Sequence, residues 1–373
     1  MRKFHILSSV ALAFSLFFTL GSAATQAQNG SEFAGGNGTE ANPWQIATKK
    51  QLTAFSDNYG GEAGKGKYFI LTKNLEFTAE DFSAFGDFSG WKPLCYVPGG
   101  FKGTFDGGNH EININGLERI ETGSTGYATG FFAELKGATV KNLTISYGKI
   151  TIASDSGGSR VGGLAFGASS SIIDNCHVNG NFTVGGSFGG IVYEYNNSYI
   201  IDSSFTGSIE TVGGEYCSGI AGILAYWNDG AITVSGCSVD ADIFSKSKYT
   251  GGILGGGGGS IQNCHVRGDM ETYGQCLGGL VGANVNGNGT IGLIIKKSSF
   301  EGILKCGTSQ NGSYIGGLVG AQTDYYGDTT LLISESYSKG EIRVDSRSLR
   351  KDFWQNQRKN RGRAICFWTE GKD

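Results

Sequence analysis

Proline is almost absent from this sequence, and charged residues are scarce. Only 3 of the 373 residues are proline, which excludes collagen and Pro-rich linkers. Charged residues make up 17% of the chain, whereas hydrophobic residues make up 39%. A chain with this little charge and this much apolar content is expected to fold around a core, so intrinsic disorder is excluded as well.

The body of the chain also lacks an excess of positive charge. Arg2 and Lys3 lie at one end, and the segment 344–373 contains 8 basic and 4 acidic residues. The remainder carries 20 basic and 29 acidic side chains, a net charge of -9. A nucleic-acid partner needs a basic surface that neutralises phosphates, so we expect no such partner.

No segment has the length of a membrane-spanning helix. The apolar run from Ile6 to Leu20 is shorter than the roughly 20 residues that a span requires. It follows Arg2 and Lys3 and precedes small residues, which is the pattern of a secretory signal peptide. We therefore predict a signal peptide over 1–27, cleaved after Ala23 or Ala27, no membrane span after its removal, and a secreted or cell-surface location.

Glycine, in contrast, is abundant, with 64 residues, and much of it belongs to a repeat. A Gly-Gly-hydrophobic element begins at Gly162, Gly189, Gly251, Gly278 and Gly316, with degenerate copies at 130 and 221. A second element follows each copy, and its clearest example contains Ile173, Cys176, Val178, Gly180 and Phe182.

The small-residue position of the second element gives the repeat length. It falls at 143, 176, 203, 237, 264, 298 and 336, so successive copies lie 27 to 38 residues apart. Within each copy, apolar residues alternate with polar ones, which is the period of a strand with one buried face. No segment after the signal peptide shows sustained helical periodicity with caps, so a helical solenoid is excluded.

A strand with one buried face, repeated between glycine-rich corners, can bury that face by stacking on its next copy. We predict an all-β fold, a right-handed parallel β-helix of about seven or more coils spaced about 4.8 Å apart. Residues such as Val178 would point inward, and residues such as His177 would point outward. A β-propeller or two β-sandwich domains are the alternatives, although a propeller blade takes more than roughly 40 residues.

This prediction divides the chain into four parts. The signal peptide occupies 1–27, and 28–126 forms a lead-in that caps the β-helix. The repeat covers 127–343. The segment 344–373 is predicted to be a basic tail that is disordered or artefactual, because the repeat stops and 12 of its 30 residues are charged.

The Gly-Gly-Leu-Val-Gly sequences at 278–282 and 316–320 resemble the GLUG motif of secreted bacterial repeat proteins. The segments Pro43–Ile46, Tyr68–Thr72 and Phe101–His110 are similar to the lead-in of such arrays. The resemblance covers roughly 35–343. It implies a surface protein of the adhesin type, or an array that accompanies a metallopeptidase that cleaves immunoglobulin A, and it implies no activity for the array itself.

The residues that could carry zinc or disulfide chemistry do not form the expected patterns. His110-Glu111 is the sole His-Glu pair and position 114 is Ile, so a zinc-binding helix is not formed. Cys176, Cys237 and Cys264 share one inward position with serines, which favours free buried thiols over disulfides. His177 and His265 share an outward position three coils apart, about 14 Å, which is too far for one metal ion.

Acidic residues are densest on the outward side of the fourth and fifth coils. Asp240 and Asp242 would lie beside Arg267 and Asp269. Stacked carboxylates of this kind bind Ca²⁺ or act as an acid in β-helical polysaccharide lyases and hydrolases. The simpler interpretation, which we favour, is an ion pair between Asp240 and Arg267 beside solvated acids.

Aromatic residues after the Gly-Gly element give a second candidate site. Exposed rings can hold sugar faces or a protein partner, although packing within local turns is the simpler explanation. The candidate ligand-binding residues are Tyr193, Tyr195, Tyr226, Trp227, Tyr325 and Tyr326.

From the sequence we predict a non-enzymatic, exported protein that needs no cofactor. It would act as an adhesin-like binding protein or spacer, presenting one face to a host protein or glycan. The alternative is a carbohydrate-active β-helix enzyme, a polysaccharide lyase or hydrolase, whose metal or acid site uses Asp240, Asp242 and Asp269.

Overall fold

The computed structural model describes eight stretches of the chain: 32–82, 91–121, 128–153, 158–224, 233–285, 292–307, 314–323 and 330–344. The predicted signal peptide and the tail beyond 344 lie outside these residues. The described strands form three sheets, in which the strand pairings are parallel. We call them sheets A, B and C, in the order in which each coil enters them.

Each coil contributes one strand to sheet A, one to sheet B and one or more to sheet C. The strands of sheet A are Ala128–Thr129, Arg160–Gly162, Ser187–Gly189, Tyr216–Ser218, Tyr249–Gly251, Cys276–Gly278 and Tyr314–Gly316. Those of sheet B are Phe132–Lys136, Ala165–Ser169, Val192–Asn196, Ala221–Leu224, Leu254–Gly256, Val281–Val285 and Val319–Thr323.

Sheet C is longer because it also includes the lead-in. Its lead-in strands are Trp44–Ile46, Tyr68–Leu71, Leu75–Glu76, Thr104–Asn113 and Arg119–Glu121. Its strands within the repeat are Thr139–Ala153, Ile172–Val184, Tyr199–Ile201, Ser204–Thr211, Thr233–Ser235, Ser238–Ser245, Gly259–Gln262, His265–Arg267, Met270–Thr272, Leu293–Lys296, Ser299–Cys306, Leu331–Ser334 and Tyr337–Val344.

Seven coils therefore follow one another between 128 and 344. We number them 1 to 7 by the strand that each places in sheet A. The predicted all-β parallel β-helix is confirmed. The alternation of side chains in sheet C is also as predicted, since Val178 is fully buried and His177 lies on the outer face with partial exposure.

The glycines of the repeat are required by the close approach of successive backbones. A Cβ atom at Gly279 would meet the carbonyl oxygen of Gly317 and the ring of Phe300. A Cβ atom at Gly282 would lie 2.6 Å from the backbone nitrogen of Thr250. Sheets A and B therefore meet at a corner in which only hydrogen atoms fit between the chains.

A column of left-handed residues bends the sheet C strands at one position of each coil. Its members include Asn142, Asn175, Asp202 and Asn263, with φ between 47° and 53°. Asn and Asp adopt this conformation more readily than other non-glycine residues. The side-chain amide of Asn175 also donates to the Asn142 side-chain oxygen at 3.0 Å, which links two coils.

A helix that was not predicted from the sequence covers the start of the stack. It spans Lys49–Asn58, and its Phe55 ring lies 4.7 Å from the ring of Phe69 and 5.1 Å from that of Phe105. The sequence signal that indicates the start of this helix is a capping box formed by Thr48 and Gln51. The Thr48 hydroxyl accepts from the backbone amide of Gln51, and the Gln51 side chain accepts from the Ala47 amide at 2.8 Å.

The described cysteines are all buried, and Cys176, Cys237 and Cys264 are free thiols, as predicted. Cys176, Cys237 and Cys264 form a ladder on the inner side of sheet C with serines of other coils. The backbone amide of Cys264 donates to the Ser298 hydroxyl at 3.1 Å. Cys366 lies outside the described residues.

Candidate functional site

A groove on the outer face of sheet C is the candidate functional site. It crosses coils 3 to 7 and has a volume of about 410 Å³. Buried core residues form its floor, and the outward side chains of neighbouring strands form its walls. The residues that line it are Ser208, Ile209, Glu210, Asp242, Ile243, Phe244, Asp269, Met270, Glu271, Ile303, Lys305 and Arg343.

The strand register arranges the wall residues in two rows along the coil axis. In the first row, Ser208 pairs with Asp242, and Asp269 and Ile303 follow from the next two coils. In the second row, Glu210 pairs with Phe244, Phe244 with Glu271, Glu271 with Lys305, and Lys305 with Arg343. The groove therefore changes from acidic walls at coils 3 to 5 to basic side chains at coils 6 and 7.

Backbone hydrogen bonds fix the two aspartates of the first row. Asp242 Oδ1 accepts from the backbone amide of Asp269 at 2.9 Å, and Asp269 Oδ1 accepts from the amide of Ile303 at 2.9 Å. These amides donate to side chains because the pairing between neighbouring strands of sheet C is interrupted at Gly268, whose φ is 124°. Each carboxylate is held in place by one oxygen, and the other oxygen can accept a hydrogen bond from a ligand.

The basic end of the groove consists of ion-paired side chains. Lys305 Nζ lies 2.8 Å from Glu271 Oε2, and Arg343 lies 2.7 Å from Glu341. The hydrogen bond that Lys305 donates to Glu271 raises the pKa of Lys305, and the one that Arg343 donates to Glu341 lowers the pKa of Glu341. Arg267 was the cation expected beside the acidic residues, whereas the structure brings Lys305 and Arg343 into the groove.

An aromatic ring lies in the second row, between Glu210 and Glu271. Phe244 is partly exposed, and its ring centroid is 5.6 Å from that of Tyr273. Tyr273 is itself 42% exposed. The groove thus combines an apolar ring face with fixed hydrogen-bond acceptors and with donors, which is the usual composition of a small-ligand site.

The predicted aromatic platform is wrong at the two positions that the structure describes. Tyr193 and Tyr195 are 4% and 1% exposed, so neither presents a ring to solvent. Tyr195 points into the core, and Tyr193 stacks on Phe166 at 5.9 Å within a second apolar cluster. The other predicted members, Tyr226, Trp227, Tyr325 and Tyr326, lie outside the described residues.

The predicted acidic cluster is only partly assembled. Asp242 and Asp269 meet in the groove, but Asp240 does not line it. Arg267 lies opposite Asp240 in the strand register, yet its ion pair is with Glu301, at 4.0 Å. The predicted ion pair between Asp240 and Arg267 is therefore wrong.

No metal centre is formed within the described stretches of the chain. In these stretches, no three His, Cys, Asp or Glu side chains are placed to hold a metal ion. Asp240, Asp242 and Asp269 are therefore not a set of calcium ligands. Asp240 is two residues from Asp242 along one strand, which moves it about 7 Å along the sheet.

The two outward histidines make separate contacts between coils, as their spacing predicted. His177 Nδ1 lies 2.8 Å from the Ser204 hydroxyl, and His265 Nδ1 lies 2.9 Å from that of Ser299. The second ring nitrogen of His177 lies 3.1 Å from the side-chain oxygen of Asn175. Burial lowers the pKa of His177, so its neutral form is favoured.

In the described part of the chain, no helix has the length and apolar content needed to cross a membrane. A scan against protein-family models finds no match. The resemblance to GLUG-motif proteins therefore stays a prediction.

Two sequence relatives each match part of the chain. The first is halomucin of Haloquadratum walsbyi, which is 25% identical over 260 residues, 68% of this chain. The second is a candidate Gly-rich membrane protein of Evansella cellulosilytica, 27% identical over 170 residues, or 45% of this chain. The matched regions are only 3% and 18% of these relatives.

Solved structures with a similar fold include a candidate immunoglobulin A1 protease from Bacteroides ovatus. It superposes with a TM-score of 0.54 and 19% identity, covering 86% of this chain and 82% of that one. A structure named IgA1 protease has a TM-score of 0.49, 18% identity, and coverage of 79% of this chain and 21% of that one.

The Bacteroides ovatus structure has a similar fold, and it corrects one prediction. The expectation that the chain is not an enzyme is contradicted, because a solved structure of the same fold is named as a protease. At 19% identity the likeness extends to the fold alone, so any activity must be argued from the groove itself.

Proposed function

We propose that this chain is an exported surface protein that binds a glycan in the groove of sheet C. Three features support surface display: the signal-peptide pattern over 1–27, the partial match to a Gly-rich membrane protein, and the match to halomucin. Binding rests on one observation, the partly exposed Phe244 ring beside the fixed Asp242 and Asp269 carboxylates, in a groove that the Lys305 ammonium also lines.

The size of the groove fits a small ligand such as a short glycan. Its volume of about 410 Å³ falls in the range of small-ligand sites, about 300–1,000 Å³. Sugar rings can pack their C–H faces on Phe244 while their hydroxyl groups donate to the two aspartates.

The charge of the groove narrows the class of glycan. Four carboxylates line it, from Glu210, Asp242, Asp269 and Glu271, and both cations of the lining are already ion-paired. The body of the chain is also acidic. Repulsion therefore disfavours sulfated or uronate-rich polymers, and we expect neutral sugars or amino sugars.

The test is the binding of the exported chain to a panel of immobilised neutral, amino and sulfated glycans. Phe244→Ala and the double variant Asp242→Asn, Asp269→Asn should weaken binding about tenfold or more. Asparagine keeps an oxygen that can accept the backbone hydrogen bonds, so the double variant separates ligand contact from folding.

Asp240→Asn is the matched control, because Asp240 is an exposed acid on the strand of Asp242 but outside the groove. It should bind as the parent chain does. Binding that is unchanged in both groove variants would refute the proposal. Binding to deglycosylated host proteins, with none to glycans, would replace it with a protein partner.

Cleavage of a polysaccharide in the same groove is a second candidate function. It is favoured by the placement of Asp242 and Asp269 on adjacent coils, with Lys305 and Arg343 on the next two. A carboxylate pair can supply a general acid and a base or nucleophile, and cations stabilise developing negative charge. Release of reducing ends that is lost in Asp269→Asn would support it. Glycan binding without any release would exclude it.

A further inference from the structure

Cys237 and Cys264 occupy the same inward position in consecutive coils. The flanking register pairs Ser235 with Gln262 and Ser238 with His265, and the backbone amide of His265 donates to the Cys237 carbonyl oxygen at 3.0 Å. Adjacent strands lie about 4.8 Å apart. This spacing falls inside the Cα–Cα range of about 4.4–6.8 Å that a disulfide bond requires.

The Cys264 side chain points toward the coil of Cys237. Its Sγ lies 3.6 Å from the carbonyl oxygen of Val234, which belongs to that coil. The two thiol groups also interact electrostatically. Both are buried, with exposures of 1% and 0%, so no other molecule can reach them once the coils have closed.

Cys176 provides a comparison within the same ladder. Its neighbours at this position are Leu143 on one side, paired in the register, and Ser203 on the other, whose hydroxyl accepts from the Cys176 amide. Neither neighbour has a thiol. Cys176 therefore shares the burial of the other two cysteines but cannot form a bond along the ladder.

We propose that Cys237 and Cys264 form a disulfide bond that joins coils 4 and 5 when the chain folds in an oxidising extracytoplasmic compartment. The inference is independent of the ligand proposed for the groove. Such compartments maintain disulfides, whereas the cytosol keeps thiols reduced. The oxidant is the disulfide of a protein thiol oxidase, which acts on the partly folded chain before the pair is buried.

The reaction consists of two thiol–disulfide exchanges. One of the two cysteines, as its thiolate, attacks one sulfur of the oxidase disulfide, which breaks that bond, releases one oxidase thiolate and forms a mixed disulfide. The other cysteine gives its proton to a base in solution and attacks the sulfur of the first, which releases the second oxidase thiolate. The oxidase thiolates take up two protons, so the chain loses two hydrogens and two electrons and the oxidase gains them.

The test is differential alkylation of the full chain after export to an oxidising compartment. Free thiols are blocked with iodoacetamide in denaturant, disulfides are then reduced, and the new thiols are labelled with N-ethylmaleimide before peptide mass mapping. Cys237 and Cys264 should carry the second label and Cys176 the first. Without reduction, the two peptides should appear as one cross-linked species about 2 Da lighter than their sum.

Serine variants provide the controls, because serine occupies this ladder position in coils 3, 6 and 7 and the variants should fold. In Cys237→Ser, Cys264 should carry the first label, whereas Cys176→Ser should leave the cross-link intact. First-label modification of Cys237 and Cys264 in the exported parent chain, to the extent seen for Cys176, would overturn the proposal. A cross-link from either residue to a different cysteine would also overturn it.

Discussion

The backbone amide of Cys176 donates a 3.0 Å hydrogen bond to the hydroxyl of Ser203, which holds the same ladder position one coil further along the chain. The same bond joins Ser298 to Ser336 at 3.1 Å. The Ser203 hydroxyl in turn donates to the carbonyl oxygen of Ile201 at 2.7 Å. Serine in this ladder therefore supplies a hydrogen-bond acceptor to the preceding coil, in addition to its small volume.

Replacing Ser203 by alanine should destabilise the fold. The Cys176 amide would lose its acceptor inside the core, and a buried group without a partner costs about 1–3 kcal/mol. The free energy of unfolding in urea measures the effect. Thr206→Ala, at an exposed site on the strand that follows Ser203, should change it by less than about 0.5 kcal/mol. Equal effects of the two substitutions would contradict this role of the ladder.

Gly279→Ala should destabilise the coil stack by about 1–3 kcal/mol or more, because the new methyl group would overlap the Gly317 carbonyl oxygen and the Phe300 ring. Gly167→Ala is the matched control in sheet B, since its nearest neighbour, the Glu194 carbonyl oxygen, would be 3.7 Å from the added carbon. Thermal unfolding of both variants should show a lower midpoint for Gly279→Ala alone. A tolerated Gly279→Ala would mean that the corner can widen.

Two buried tyrosines should respond in opposite ways to the loss of the hydroxyl group. Tyr195 Oη has no hydrogen-bond partner among the described residues, so Tyr195→Phe should be neutral or stabilising by up to about 1 kcal/mol. Tyr147 Oη donates to the Gly163 carbonyl oxygen at 2.7 Å, so Tyr147→Phe should destabilise by about 1–3 kcal/mol. Urea unfolding of both variants provides the measurement. Destabilisation by Tyr195→Phe would show that its hydroxyl has a partner.

His177 should make the stability depend on pH. Burial lowers its pKa in the folded state below the ordinary value of 6.5, and its neighbours Thr144, Asn175 and Ser204 are uncharged. Below about pH 6.5 the unfolded chain therefore binds the proton more readily, so this contribution to stability is complete above that pH and decreases as the pH falls.

Urea midpoints at pH 7.5 and pH 5 provide the measurement for His177. His177→Gln should reduce the loss of stability on acidification. Ser204→Ala, which removes the hydrogen bond but keeps the imidazole, should retain that loss. The same pH dependence in His177→Gln as in the parent chain would assign it to other groups.

The fold was predictable because its determinants are local and repeat along the chain. The alternation that buries Cys176, Val178 and Phe182 recurs at one register in each coil, and strict period 2 leaves little choice of orientation. The helix at 49–58 was missed because its apolar residues are few. Its Thr48 and Gln51 cap was the signal to use.

The groove could not be predicted in the same way, because it depends on five coils of unequal length. Glu271 and Lys305 are 34 residues apart, and Lys305 and Arg343 are 38 apart. These pairs can be neighbours only if the additional residues of the longer coils do not take part in the strands. Alternation also fails in sheet B, where Phe166 and Gly167 are both partly exposed between the buried Ala165 and Ala168. The orientation of Tyr193 and Tyr195 was mispredicted for this reason.

The cluster of aromatic rings around Phe55, at the start of the stack, restricts where new coils can be added. Phe55 occupies the interior that an additional coil would need beside Phe69 and Phe105. A duplicated gene segment encoding one repeat can therefore be inserted downstream of this cluster, but it cannot be added in front of it. The number of coils should therefore vary during evolution downstream of the cluster, whereas the segment that contains Phe55 should stay constant.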